Sequence, residues 1–224
     1  MSILIYAEYA EGKFKKVALE LASYAKKVAE TLGTTVTAVT INAGDVSELS
    51  KYGVDKVLKV NNDKLSGFTA KAYADVIKQA AQKEASKLIL LSSTTDSLYL
   101  SSLVAVALEA GFTSNVVGLP VSTSPFQVKR TAFSNKAFNT TEITTDIKIL
   151  GLAKNSYGIF ENASTLTQED FNPTIGENDF GVKVESVEKG SGKVSIADAD
   201  IVVSGGRGLK GPENWGMIEE LASV

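Results

Sequence analysis

Leu88-Ile89-Leu90-Leu91 is apolar at every position. In an extended chain successive side chains point to opposite faces, so a strand with no polar position has to be covered on both sides. Before it, Tyr73, Val76, Ile77, Ala80 and Ala81 recur at helical spacing; after it, residues 98–110 are apolar nearly all round and end at Gly111, which predicts a buried helix against the strand. Helices flanking a two-sided central strand define an α/β fold with a doubly wound, mostly parallel sheet.

Toward the amino terminus the same alternation continues. Residues 3–7 form a short apolar run, and Phe14, Val17, Ala18, Leu21, Ala25, Val28, Ala29 and Leu32 make one helical stripe that stops at Gly33, a residue suited to a left-handed cap. Residues 35–41 and 54–60 are β-branched and strand-like, with a short helical stretch at 45–52 between them. Lys15-Lys16 and Lys26-Lys27 read as the solvated face of the helix. Toward the carboxyl terminus the texture turns β-rich at 115–121, 126–133, 137–143 and 147–153, with Pro120 and Pro125 as punctuation and Ser134-Asn135-Lys136 as a hairpin turn. Residues 156–179 lack periodicity and are expected to wrap the surface. Residues 181–187 alternate like a strand, and Gly190-Ser191-Gly192 resembles a linker, which places an amino-terminal α/β domain at 1–195 and a second region at 196–224.

Composition narrows the chemistry. The 224 residues carry a net charge of −3 and a sequence pI near 5.2, the wrong sign for a nucleic-acid or anionic-membrane surface. There is no Cys and no His, which removes thiolate ligands, disulfides, Cys nucleophiles and the usual neutral-pH general base. Acid–base or hydrolytic chemistry would have to use carboxylates or Lys, and redox chemistry would need a bound cofactor. No apolar run approaches the ~20 residues of a membrane-spanning helix, and the amino terminus opens on a strand pattern, so a cytoplasmic location is expected, or an organelle matrix after loss of a targeting peptide.

Two segments are candidates for ligand chemistry. Asp200-Ile201-Val202-Val203 reads as a strand feeding Ser204-Gly205-Gly206-Arg207-Gly208-Leu209-Lys210-Gly211, with Ile218, Leu221 and Ala222 continuing helically. Glycines let backbone N–H groups approach an anion, and Arg207 can donate a charge-assisted pair of hydrogen bonds. The spacing matches neither the dinucleotide fingerprint nor the Walker loop, and a tight turn with an exposed arginine fits it equally well. The second segment, Ser92-Ser93-Thr94-Thr95-Asp96, follows the central strand, where open α/β sheets place ligands. Its hydroxyls can hold a phosphate, or the cluster can cap the following helix, with Thr95 or Asp96 satisfying its first N–H groups.

The stretch Val203-Ser204-Gly205-Gly206-Arg207-Gly208-Leu209-Lys210-Gly211-Pro212-Glu213-Asn214 closely resembles the opening of the FAD domain of electron transfer flavoprotein α subunits. Ile3-Leu4-Ile5-Tyr6-Ala7-Glu8 is similar to that family's first strand, and Lys129-Arg130-Thr131-Ala132-Phe133-Ser134-Asn135-Lys136-Ala137 to its β-hairpin. The resemblance implies an amino-terminal domain like the nucleotide α-hydrolases and the start of a flavodoxin-like FAD domain. It implies Arg207, in the turn with Gly206, as a FAD contact, and no catalytic residue of the protein's own. Because the remaining FAD contacts of the family fall beyond Val224, FAD is not expected on this chain alone. The resemblance further implies an electron carrier that pairs with a β subunit as a heterodimer. Such a carrier takes electrons from flavin dehydrogenases, such as the acyl-CoA dehydrogenases of fatty acid β-oxidation, and passes them to a membrane quinone oxidoreductase. In that family the β subunit binds an AMP and the α subunit holds none. The alternative is a free-standing nucleotide-binding α/β protein that uses the Ser92 to Asp96 loop.

Overall fold

A computed structural model of the chain describes residues 2–182, 184–186, 199 and 201–224. They divide into two compact units, Met1–Val184 and Glu185–Val224. The boundary expected at 195/196 and the Gly190-Ser191-Gly192 linker lie outside the described residues.

The first unit runs β1 (Ser2–Tyr6), β2 (Tyr9–Ala10), β3 (Lys13–Phe14), α1 (Lys16–Leu32), β4 (Thr35–Ile41), β5 (Lys56–Val60), α2 (Ala70–Lys83), β6 (Leu88–Ser92), α3 (Thr95–Ala107), β7 (Gly111–Val116), β8 (Ser122–Thr123), β9 (Phe126–Ala132), β10 (Ala137–Glu142), β11 (Lys148–Leu152) and β12 (Thr167–Asp170). A 10-stranded sheet has the order β10-β9-β7-β11-β6-β1-β4-β5-β12, with β8 paired to β9. From β7 to β12 every neighbour is parallel, and the hairpin β9–β10 closes the other edge antiparallel. The central strand is β6, between β11 and β1, and all of its positions are buried.

Alternation along the strands builds two cores. Ile3, Ile5, Val36, Ala38, Leu88 and Leu90 face α1 and pack on Leu21, Ala25 and Val28. Leu4, Tyr6, Val39, Ile41, Ile89 and Leu91 face α2 and α3 and pack on Val76, Ile77, Leu100 and Val104. The sheet is therefore doubly wound, as the apolar strand requires. Gly33 ends α1 at φ 63°, its N–H reaching back to the last turn, which is the cap the sequence implies.

Several expectations need correction. α3 is not buried all round: Ser97, Leu100, Ser101 and Val104 face inward, whereas Leu98, Tyr99, Leu103 and Val106 are exposed, Val106 at 82%. Gly111 does not cap that helix but begins β7, where an added Cβ would lie 2.6 Å from Thr145 Oγ1 and 2.7 Å from Ile143 Cγ2. The β-rich stretch joins the same sheet, because β11 returns from it and inserts between β7 and β6. The surface-wrapping segment 156–179 contains the unforeseen strand β12, paired in parallel with β5. Of the strand expected at 181–187, Lys183 and Val187 lie outside the described residues, and the described ones are not in a strand.

The wrapping segment is tied down by side chains that reach across the chain. Ser23 Oγ bonds both the N–H and the C=O of Phe160, and Gln79 bonds both groups of Thr174. Tyr157 and Leu166 join the α1-side core, while Phe171, Ile175 and Phe180 join the opposite one. The segment thus crosses from one face of the sheet to the other around its β5 edge. There Lys56 sits 2.8 Å from both Glu84 and Glu169, and Lys83 2.7 Å from Glu169.

Leu90 is wholly buried at the middle of the central strand. Leu90→Ala is expected to lower stability by about 2–5 kcal/mol, the range for large-to-small changes in a core that cannot collapse fully, measured by urea unfolding. At the β12 edge, hydrogen bonds from Lys56 and then Lys83 lower the Glu169 pKa from 4.5 to about 2. A depressed carboxylate adds stability above its unfolded pKa and loses it as pH falls through the folded value. Amide-exchange protection of β12 is therefore expected to decline, relative to β6, between about pH 4.5 and 2, and Glu169→Gln should remove that dependence; an unchanged profile in the variant rules out this ion pair as the cause.

Candidate functional site

In the unit Glu185–Val224, Ile201 lies in a bend, and Val202 and Val203 are in irregular backbone, so the strand read at 200–203 is not seen among the described residues. Asp200 is outside them. A strand needs a neighbour for its N–H and C=O groups, and here Ile201 is 85% exposed with no ladder partner among the described residues. Arg207 accordingly does not stand at a strand end. It opens a 3₁₀ turn (Arg207–Leu209), followed by a second (Pro212–Asn214) and then by α4 (Gly216–Ala222). Asn214 Nδ2 donates to the Leu209 carbonyl at 2.8 Å and ties the two turns together.

Within that segment the glycines divide by role. A Cβ at Gly205 would meet the end of the Leu209 side chain, which would have to swing aside, whereas a Cβ at Gly206 or Gly208 would meet nothing within 4 Å. The backbone at Gly206 and Gly208 is therefore open to close approach. Arg207 is exposed and forms no ion pair among the described residues. An unpaired guanidinium beside bare glycine backbone fits the anionic end of a dinucleotide such as FAD.

The crevice after β6 is filled by the chain itself. Glu8, which directly follows the β1 side of the sheet's midline, has a side chain only 5% exposed. Its Oε1 accepts from Thr94 Oγ1 at 2.9 Å and Ser97 Oγ at 3.0 Å, and its Oε2 accepts from Lys15 Nζ at 2.8 Å. Thr94 Oγ1 also accepts from the Ser97 N–H at 3.2 Å, so Thr94 is the N-cap of α3. Both serines of the loop are likewise engaged: Ser92 Oγ donates to the Val17 carbonyl at 3.4 Å, and Ser93 Oγ accepts from the Asn115 N–H at 3.4 Å. The Tyr6 phenol beside Glu8 is pushed well above its ordinary range, by burial first and then by Tyr73 and Glu8. A phosphate placed here would meet a resident carboxylate, and like charges in a poorly solvated site repel by several kcal/mol. Of the two readings of the Ser92 to Asp96 loop, the capping one describes the geometry, with Thr94 and not Thr95 or Asp96 as the cap.

A second buried carboxylate repeats the device. Glu20 of α1 is 4% exposed and accepts from the backbone N–H groups of Asn155, Tyr157 and Gly158 at 2.9, 2.9 and 3.0 Å. Three N–H groups converging on one point form an anion-binding nest, and α1 supplies the anion. Sequence reasoning missed both residues. The available signals were an acidic residue directly after an apolar strand, and a glutamate in the same i, i+4 row as Tyr24 and Val28.

Comparison with known proteins agrees with this architecture. The family model described as the electron transfer flavoprotein domain matches residues 3–174. The chain is 33% identical to the electron transfer flavoprotein subunit alpha of Thermoanaerobacterium thermosaccharolyticum, over 99% of this chain and 70% of that protein. It is 29% identical to the protein FixB of Clostridium saccharobutylicum, over 99% of this chain and 69% of that one. It is also 26% identical to the LctC subunit of an NAD- and ferredoxin-linked lactate dehydrogenase of Acetobacterium woodii, over 98% of this chain and 54% of that one. With the family model covering most of the doubly wound sheet and an α subunit matching from end to end, the chain belongs to the electron transfer flavoprotein family, on its α-subunit side.

Proposed function

We propose that this chain serves as the α subunit of a heterodimeric electron carrier whose redox chemistry resides on FAD. The observation that carries the reading is Arg207, an exposed arginine with no ion pair among the described residues, between glycines with open backbone, in a chain similar throughout its length to flavoprotein α subunits. Arg207 and the Gly206 backbone would hold an anionic part of the cofactor, and FAD when bound supplies the electron-accepting and electron-donating group. The region from about residue 196 is the start of a flavodoxin-like FAD domain, and the segment up to 195 is the platform that docks the partner. Electrons come from flavin dehydrogenases, acyl-CoA dehydrogenases among them, and leave to a membrane quinone oxidoreductase, with the carrier itself in the cytoplasm. No helix among the described residues is long and apolar enough to cross a membrane.

The docking face for the β subunit is the outer side of α3. Leu98, Tyr99, Leu103 and Val106 lie within a 140° arc on a helical wheel of about 100° per residue, and all four are exposed. Exposed apolar stripes of this kind mark interfaces that remain covered in the working protein.

Arg207→Ala in the α–β protein is expected to weaken FAD retention about tenfold or more, since a charge-assisted contact contributes roughly 1.5–3 kcal/mol; unchanged retention by flavin absorbance after gel filtration removes Arg207 from the site. The 224-residue chain incubated alone with excess FAD is expected to emerge colourless, and stoichiometric yellow flavin on it would overturn the domain division. Co-expression with a β subunit should give a stable 1:1 complex, and Tyr99→Asp with Val106→Asp should abolish it while leaving the circular dichroism of the α chain intact.

A further inference from the structure

Glu8 and Glu20 occupy two of the places at the carboxyl end of the sheet where an anion could sit. A third place remains open. Between the ends of β7 and β11, beside the β9–β10 hairpin, lies a cavity of about 550 Å³ lined by Asn115, Lys129, Asn135, Lys154, Asn155 and Ser156 together with apolar neighbours. No carboxylate is among its described lining residues, and neither lysine joins an ion pair among the described residues. Lys129 Nζ instead rests 4.1 Å from the centre of the Phe138 ring, a contact that orients the ammonium and leaves its charge uncompensated.

The backbone around the cavity is as unusual as its charge. Asn115, Asn135 and Asn155 all have positive φ, at 57°, 61° and 54°. Asparagine tolerates the left-handed region better than other residues with a side chain, yet the conformation still has an energetic cost, and such residues cluster where a ligand is gripped. Three of them, one on each of three segments, line one cavity. The volume lies in the range of roughly 300–1,000 Å³ that encloses small-molecule ligands. The position, at the carboxyl ends of parallel strands, is where open α/β sheets bind them.

We propose that this cavity binds a small phosphoryl-bearing anion, with Lys129 and Lys154 supplying the charge and the asparagine amides the remaining donors. Two ammonium groups with no acid between them suit a dianionic group more than a single carboxylate, and a lysine serves phosphate as a point charge without needing planar geometry. The cavity is lined by residues of the unit Met1–Val184 alone, and the proposal stands whether or not the electron-carrier reading does.

The test is a titration of the ¹⁵N-labelled chain with pyrophosphate at constant ionic strength, followed by amide chemical shifts. Malonate and chloride serve as the other arms. The expected result is a saturable shift at Asn135, Asn155, Ser156 and the asparagine side-chain amides, at least tenfold tighter than with malonate and absent with chloride. Lys129→Gln with Lys154→Gln should weaken it at least tenfold at an unchanged melting midpoint, and the Lys154→Gln single variant reads the same loss in part if the pair does not fold. Shifts that never saturate, that scatter over lysines elsewhere, that are matched by malonate, or that persist undiminished in the variants would each overturn the proposal.

Discussion

A carboxylate kept almost out of water has to collect donors where it stands, because an isolated buried charge costs far more than a single hydrogen bond returns. Glu8 collects three, from Lys15 just before α1 and from Thr94 and Ser97 at the start of α3. That one group joins the elements on opposite faces of the sheet at the point where the strand order turns from β6 to β1. It also fixes how α3 is rotated. Ser97 must face inward to reach Glu8, and Ser101, one turn on, follows it inward and donates to the Ser97 carbonyl at 2.6 Å. With two serines on the buried side, apolar residues of the same helix are turned to solvent. The exposed stripe of α3 is thus coupled to the filled crevice: the interaction that denies the crevice to a phosphate also turns an apolar face to solvent.

The extent to which this was legible in the sequence follows from the range of each interaction. The Phe14 to Leu32 stripe with Gly33, the run at 35–41, Leu88 to Leu91 and the hairpin around Ser134 could be read because their determinants are local: periodicity, β-branching and a turn. β12 could not, because Thr-Gln-Glu-Asp has no apolar alternation. It is a strand by virtue of the β5 backbone it meets and of Lys56 and Lys83, which lie over eighty residues earlier. Gly111 misled for the opposite reason. A glycine after an apolar helix ordinarily signals a cap, and here it is demanded by the close approach of Ile143 and Thr145. The all-round apolar character of α3 was real, but composition cannot tell a helix buried in a core from one awaiting a partner.

The candidate site divides in the same way. Arg207 and Gly206 are visible because a glycine-rich turn is a contiguous signal, and the described backbone there has glycines that no Cβ contact explains. Glu8 and Glu20 are not visible, since each acquires its meaning from donors 86 to 138 positions away. The strand expected before Arg207 shows the reverse limit. An Ile-Val-Val run has every local reason to be extended, yet β structure is completed only by a neighbour that takes its hydrogen bonds.

The carboxyl end of the sheet therefore carries a consistent electrostatic logic. Parallel strands and the loops that follow them direct backbone N–H groups toward this end, which favours negative charge in the crevices it encloses. Where the chain supplies its own carboxylates, at Glu8 and Glu20, that preference is satisfied internally and converted into stability, since each ties a helix-side segment to a loop far along the chain. Beneath the hairpin the chain supplies cations and amides instead. Had that cavity been structural in the same sense, an aspartate or glutamate in place of Lys129 or Lys154 would have paired the donors as Glu20 pairs the nest beside it. Asn155 marks the divide most sharply. Its backbone N–H serves Glu20 at 2.9 Å, while the residue as a whole lines the open cavity at a left-handed φ. One satisfied anion site thus borders the cavity lined by Lys129 and Lys154.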